Sequence, residues 1–286
     1  MNNIVSFKPD PSLFTYISGY FYATHQFDQS GKQFFTPKGT AAMTILLEIN
    51  PSSHLIYPDK TSKIYFEKFE PYLFGQMSKI GVSNLEDRFD LFAIVFTPFG
   101  LFHFLDGPAV QMTDRVIRLD RLGLDDLHQK LRDLFKSNSE IESCLGHVNK
   151  YLIDHFNSRP SKNIPEFITS VIRQIHKEKG VVNLERMVEK LGINNRTFQL
   201  HFKNVIGISP KLFCRITRFN LLLQALDAAL PTLDILDFAV QFGYTDKPHL
   251  YKDFKEFVGM TPLRYIRLIN NVNAMVENEV RNKLSK

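Results

Sequence analysis

The feature that most constrains this chain is an internal repeat in its C-terminal half. Residues 202–216, FKNVIGISPKLFCRI, align without gaps with residues 254–268, FKEFVGMTPLRYIRL, at an offset of 52. Phe202 matches Phe254, Lys203 matches Lys255, Gly207 matches Gly259, Ser209 matches Thr261 and Pro210 matches Pro262. Upstream the offset is 51, pairing Leu184 with Ile235, Val188 with Ala239, Gly192 with Gly243 and Arg196 with Lys247. Self-similarity at a fixed spacing means one supersecondary unit built twice, so any fold for this half must place two copies of the same element.

Each copy reads as a short helix, a turn and a second helix. In the first, LERMVEKLG (184–192) puts Leu184, Met187, Val188 and Leu191 on one side. Asn183 suits the N-cap and Gly192 the left-handed residue that ends the helix. A second helix is expected from about Asn195 to Val205, burying Phe198 and Phe202. The second copy reads LDILDFAVQFG (233–243), a turn, then KPHLYKDFKEFV (247–258), burying Leu250, Phe254 and Phe257. A helix pair around a short Gly-containing turn is the helix-turn-helix pattern. Each copy closes with Gly, a Ser or Thr cap and Pro at the first position of a further helix. Between the copies, 209–229 reads as one long helix carrying Phe213, Ile216, Phe219, Leu222, Leu223 and Leu226. At 1.5 Å per residue it spans roughly 31 Å. Recognition helices in successive major grooves sit about 34 Å apart, so such a spacer is compatible with two-groove binding.

Charge divides the chain in the same way. The whole carries 35 Lys+Arg and 30 Asp+Glu, a net +5. Residues 1–164 hold 17 basic and 18 acidic side chains; residues 165–286 hold 18 and 12. A basic half beside a neutral one points to a nucleic-acid module attached to something else.

The N-terminal half is strand-like to about residue 120. The runs Phe34–Phe35, 41–49, 63–69 and 91–99, followed by LFHFL (101–105), are bounded by Pro and Gly, which suggests a β-sandwich or barrel. Segment 11–23 suits either a helix or a strand. From 124 to 135 and from 141 to 156 the period becomes helical. SRPSKNIP (158–165) reads as a linker.

Chemistry-bearing patterns are sparse. His25, His54, His103, His128, His147 and His155 form no metal-ligand spacing, so each reads as a surface or hydrogen-bonded core residue and no metal is expected. Glu86, Asp87 and Asp90, interrupted by Arg88, read as a solvated turn. No phosphate-cradling or nucleophile-elbow motif occurs, and no cofactor is implied. The 26 phenylalanines fill a core and, in part, line an apolar ligand pocket. Cys144 and Cys214 lie too far apart for a cysteine-based site and read as buried. The N-terminus shows no signal-peptide pattern, and no apolar run is long enough for a membrane span, so a cytoplasmic protein without a membrane partner is expected.

On the strings LERMVEKLGINNRTFQLHFKNVIGISP and LDFAVQFGYTDKPHLYKDFKEFVGMTPLRYIR, residues from about 165 to 270 resemble the DNA-binding domain of the AraC/XylS transcriptional regulators. The resemblance implies double-stranded promoter DNA as partner; activator is one role it allows, and the sequence does not distinguish activation from repression. The family's groove-facing positions map onto Arg196, Gln199 and Leu200 in the first copy, and onto Lys247, Tyr251 and Lys252 in the second. Arg suits guanine and Gln suits adenine. Leu200 and Lys252 stand where the family often has Arg, which weakens bidentate readout. Asn194, Thr197, Lys203, Thr245, His249 and Lys255 are expected at the DNA backbone. Lys211, Arg215 and Arg264 read as phosphate or surface groups. A weaker resemblance of the N-terminal half implies a cupin-like sensor that binds a small-molecule effector, forms a homodimer, or both; a contact with RNA polymerase would also fit a regulator.

The expected fold is therefore α+β. An N-terminal β-barrel or sandwich with attached helices (1–157) is followed by a linker (158–165). An all-α domain of about seven helices with two helix-turn-helix motifs (166–275) and a polar tail (276–286) complete the chain. The competing reading is a DNA-targeted enzyme of the repair-transferase kind working through a reactive cysteine. A partner-binding N-terminal domain is the third. The identity of the effector and the operator is not encoded in any motif.

Overall fold

Alternation of buried and half-buried residues along a few long strands organises the N-terminal part. A computed structural model describes residues 3–26, 31–56, 63–138, 140–160, 162–228 and 235–267. The segment after Arg267, which includes the expected tail, and Leu233 of the second copy lie outside the described residues.

Among the described residues ten strands form two antiparallel sheets. The larger has the order β1 (Asn3–Phe7), β2 (Ile17–Gln26), β9 (Arg88–Phe96), β4 (Ala42–Glu48), β7 (Pro71–Phe74), β10 (Val116–Arg118). The smaller has the order β3 (Gly31–Phe35), β8 (Gly81–Leu85), β5 (His54–Ile56), β6 (Lys63–Tyr65). On β9, Asp90, Phe92, Ile94 and Phe96 are buried, while the residues between them are half-buried. The buried set joins Tyr20, Met43, Ile45 and Leu73. It packs against α1 (Gly100–Phe104), α2 (Asp125–Ser137) and α3 (Ile141–Asn157) through Leu127, Leu131, Phe135, Cys144, Val148 and Leu152. The opposite face of the large sheet looks toward the small sheet across a cavity. Both faces of β9 are thus apolar, which is why 91–99 reads as a continuous run rather than an alternation. A buried carboxylate, Glu70, ties this layer to α2: it lies 2.6 Å from His128 Nε2 and 2.9 Å from Arg132 Nε. His128 is the hydrogen-bonded core histidine that its spacing suggests.

Three local expectations need correction. The run 101–105 lies in helix α1 (Gly100–Phe104) and its C-cap Leu105, not in a strand. Leu101, Phe104 and Leu105 are buried with helical spacing, and the carbonyl of Tyr16 lies so close to Gly100 that a Cβ there would sit 2.0 Å from it. The strand expected over 63–69 stops at Tyr65, because Phe69 turns into the left-handed region (φ 66°) and donates its N–H to the Leu46 carbonyl at 2.7 Å. The acidic group at 86–90 is not simply a solvated turn: Asp90 is buried and takes two bonds from Arg88. Segment 11–23 resolves into a short 3-10 turn, Pro11–Leu13, and the start of β2.

The C-terminal part consists of α4 (Glu166–Lys177), α5 (Leu184–Leu191), α6 (Asn195–Ile206), α7 (Pro210–Ala228), α8 (Ile235–Val240) and α9 (Lys247–Phe257). A further helix begins at Pro262. Asn183 caps α5 by accepting the Arg186 N–H at 2.9 Å, and Gly192 ends it at φ 63°. Helix α7, 19 residues and about 28 Å long, is the shared core element. Its Phe213 meets Phe202 of α6 with ring centroids 5.9 Å apart; its Phe219 meets Phe254 and Phe257 of α9 at 5.0 and 5.2 Å. Asp253, only 2% exposed, is held by Arg215 Nε (3.0 Å), Arg218 (3.4 Å) and the Tyr244 hydroxyl (2.9 Å). Arg215 also bonds Glu256 at 2.7 Å. No helix among the described residues is long and apolar enough to cross a membrane.

Loops of the N-terminal part grip both helix pairs. Thr113 donates its hydroxyl to the carbonyl of Gly207, just past α6, and Ile80 donates its N–H to the carbonyl of Glu256 in α9 at 3.1 Å. The two gripping loops are joined to each other. Ser78 bonds Asp114 through its N–H (2.7 Å) and its hydroxyl (2.6 Å), and Asp114 donates its N–H to Gln76 O at 2.9 Å. Gly75 is there because of this approach: a Cβ would sit 1.8 Å from the Met112 carbonyl. A third loop reaches α7, where Asn220 Nδ2 donates to Pro37 O at 3.1 Å and Gly39 packs on Phe213 and Ile216. The segment 158–165 is pinned as well: Lys162 Nζ donates to the carbonyls of Phe102 (2.7 Å) and Leu105.

Truncating Asp253 leaves Arg215 and Arg218 half-buried without their shared anion, and breaking such a pair costs about 3–5 kcal/mol. Asp253→Ala is expected to lower the denaturant midpoint of the full chain accordingly. A change under about 0.5 kcal/mol would show that the guanidinium groups are already satisfied by solvent.

Candidate nucleic-acid interface

The second helix of each pair presents a polar face away from α7. In α6, Phe198, Phe202, Val205 and Ile206 are buried. On the other side Arg196, Thr197, Leu200 and Lys203 are exposed, with Gln199 half-buried. Leu200 is 58% exposed on this outer face. Asn194 is the N-cap: its side chain accepts the Arg196 N–H at 2.8 Å, which fixes the first turn. In α9, Leu250, Asp253, Phe254 and Phe257 face inward, while Lys247, His249, Lys252 and Lys255 are exposed and Tyr251 is half-buried. Asp246 caps this helix by accepting the His249 N–H at 2.8 Å. That bond, with the nearby imidazole, holds the Asp246 carboxyl below the usual carboxylate range. His249 Nδ1 lies 2.8 Å from the same carboxylate, so part of its polar capacity is already engaged. Thr245 is exposed in the turn before the cap.

The twelve positions singled out in the sequence therefore fall on the outer faces and leading turns of α6 and α9. Among the basic residues read as phosphate or surface groups, Lys211 and Arg264 are exposed. Arg215 is not of that kind. It lies under α9, tied to Asp253 and Glu256, with its guanidinium 4.9 Å from the Phe257 ring. Its partners are 38 and 41 residues away in sequence, beyond the reach of a local pattern.

The second feature is the cavity between the sheets, of about 570 Å³. Apolar walls come from Ala42 and Leu46 on β4, Phe74 on β7 and Leu91 and Val95 on β9; Leu55 and Leu85 face them from the small sheet. Polar groups are few. Lys38 stands on the loop that carries Gly39 and Pro37, the loop that touches α7. Although Lys38 keeps part of its surface in water, the protein packed around its ammonium lowers its pKa from the ordinary lysine value, partly offset by Asp227 of α7. Met77, between Gln76 and Ser78 of the gripping loop, also lines the cavity. One loop system thus borders the cavity on one side and the helix pairs on the other. Sequence patterns missed these residues; the only local trace is a polar residue at an inward strand position, as with Thr44 in β4 and Ser83 in β8.

Neither cysteine carries the signature of a nucleophile. Both are buried. Burial raises the Cys144 thiol and pushes Cys214 up to about 12, whereas reactive cysteines have lowered values. Among the described residues no group of three His, Cys, Asp or Glu side chains is placed to hold a metal ion.

Residues 187–268 match the model of a helix-turn-helix domain family, and residues 5–118 match that of a domain of unknown function (DUF6597). No curated protein matches the sequence at a significant level. Among solved structures, ToxT from Vibrio cholerae O395 is similar over 87% of this chain and 99% of its own, with a TM-score of 0.50 at 11% identity. The AraC-like transcriptional activator CuxR aligns over 79% of this chain and 88% of its own, with a TM-score of 0.30 at 12% identity. A cupin domain from Bordetella pertussis Tohama I aligns over 34% of this chain and 93% of its own, with a TM-score of 0.26 at 10% identity. With the family match running across both helix pairs and the helix that connects them, residues 187–268 of this chain form a helix-turn-helix domain.

Proposed function

We propose that this protein is a DNA-binding transcriptional regulator that reads a promoter with α6 and α9 in successive major grooves and is controlled by a small molecule in its N-terminal cavity. The observation that carries the reading is the pair of capped helices, both packed on α7 and both turning a polar, lysine-bearing face outward. In this reading Arg196, Gln199 and Leu200, with Lys247, Tyr251 and Lys252, meet base edges. Asn194, Thr197, Lys203, Thr245, His249 and Lys255 meet the sugar-phosphate backbone. Leu200 offers a methyl contact to thymine and no hydrogen bond, so the first unit leans on Arg196 and Gln199 for polar discrimination. Homodimerisation and a contact with RNA polymerase belong to the same proposal. The buried, raised-pKa cysteines speak against the alternative of a cysteine-dependent enzyme.

The effector class follows from the cavity lining. Its walls are apolar and its cationic residue is Lys38, which suits an apolar body with an anionic end. The structurally similar ToxT is described as bound to (E)-4-(8-methylnaphthalen-1-yl)but-3-enoic acid, a ligand of that build. Occupancy would reach the DNA-reading helices through the loops at 37–40 and 75–80.

Binding of the full chain to DNA from its own promoter region, followed by fluorescence anisotropy, is expected to weaken linearly in log–log form with salt. The slope should be about −0.9 per phosphate neutralised; binding that ignores salt would overturn the reading. Arg196→Ala should lose about 1–3 kcal/mol at one base step and relax preference there. A uniform loss across all sequences would assign Arg196 to a phosphate instead. Lys38→Met should weaken binding of the naphthyl butenoic acid about three- to tenfold, measured by calorimetry, and leave the matching alcohol unaffected. Equal loss for both would remove Lys38 from the anionic end.

A further inference from the structure

One hydroxyl beside the cavity has no hydrogen-bond partner among the described residues of the protein. Ser83 sits in the middle of β8, between Gln33 of β3 and Leu55 of β5. Gly81, Ser83 and Leu85 form the buried face of that strand, and Ser83 and Leu85 line the cavity. Ser83 is 2% exposed and its Oγ has no hydrogen-bond partner. Among the described residues three other buried polar atoms share that condition: Gln76 Oε1, Arg218 Nε and Asn220 Oδ1. Each belongs to a side chain bonded through another atom: Gln76 to Gly39 O, Arg218 to Asp253 and Asn220 to Pro37 O. Ser83 has no second atom to use. An unpartnered buried hydroxyl is destabilising, and serine is a poor strand residue when its hydroxyl does no packing. Alanine or valine would serve the fold better at this position.

We propose that Ser83 reads a polar group on the effector, so that the ligand is an oxygenated apolar acid. Its anionic end lies at Lys38, at the loop that meets α7, and a hydroxyl or keto oxygen further along its body bonds Ser83 Oγ on the wall of the small sheet. This rests on the reading of the cavity as an effector site and adds a specificity element to it. Lys38 distinguishes acids from neutral molecules. Ser83 distinguishes an oxygenated chain from a plain hydrocarbon one, because a plain chain leaves the hydroxyl dry and unbonded while an oxygen at the right position satisfies it.

The test uses the full chain and defined probes: dodecanoic acid and a set of oxododecanoic acids with the carbonyl moved along the chain, compared by calorimetry. One positional isomer is expected to bind roughly three- to tenfold tighter than dodecanoic acid, the range of one net hydrogen bond. Ser83→Ala should erase that gain and leave dodecanoic acid bound as well as before or better, while Ser83→Thr should keep part of it. The Ser83→Ala protein should melt at the same temperature as the parent or higher, since it loses no bond. A preference that survives in Ser83→Ala, a set of probes that all bind like dodecanoic acid, or a melting temperature lowered by the substitution would overturn the role of Ser83 and leave the cavity reading intact. Failure of every acid to bind the parent protein would overturn both.

Discussion

A carboxylate taken out of water has to be matched, and on α9 that carboxylate is Asp253. Its match comes from two arginines one turn apart on α7 and from a tyrosine that follows α8. The Arg218 guanidinium also lies 4.4 Å from the Tyr244 ring. The rotation of α9 about its own axis is set by this cluster. Turned by one residue, the helix would carry Asp253 away from Arg215 and bury Lys252 or Phe254 in a different environment. The outward direction of Lys247, Tyr251 and Lys252 is a consequence of where an inward anion must go. Apolar packing of Phe254 and Phe257 on Phe219 supplies the adhesion, but apolar contacts tolerate rotation better than a directional ion pair does.

Among the described residues the first unit shows no such ion pair. Its orientation comes from aromatic packing of Phe198 and Phe202 and from the hydroxyl of Thr113 on the carbonyl of Gly207. The end of α6 thus finds a hydrogen-bond donor in another part of the chain, where helix ends more often use their own neighbours or water. With Ile80 bonded to Glu256, α6 and α9 each have one end held by the same pair of interlocked loops.

Much of the C-terminal half is legible in the sequence because its determinants are local. Asn183, Gly192 and the Ser/Thr–Pro starts act within a turn of where they sit, and the repeat shows the Gly and the Ser/Thr–Pro start twice; the caps at Asn194 and Asp246 are equally local and came to light in the structure. The N-terminal half is less so. The apolar run 91–99 reads the same whether its second face meets a packed core or a cavity, so the strand is visible and the space beside it is not. The five-residue run 101–105 is too short for periodicity to separate helix from strand; a tertiary contact at Gly100 decides it. Arg215, Lys38 and Ser83 escape for a related reason: each owes its character to neighbours tens of residues away. The outer faces of α6 and α9 are the exception among functional features, since exposure on an amphipathic helix follows from the period alone.

The bond between Thr113 and Gly207 has a consequence for how such a chain can be recombined. Many two-part proteins behave as beads on a string, and either bead can be grafted onto another partner. Here the helical half borrows a hydrogen-bond donor and a packing surface from the half before it, so it is not an exchangeable cassette. A graft that joined its helices to a foreign domain through a flexible tether would preserve every outward-facing residue of α6 and α9 and still leave the ends of two helices without their supports. Compatibility between the halves is written into the loops around Gly75 and Asp114, and exchange of parts would have to carry those loops along.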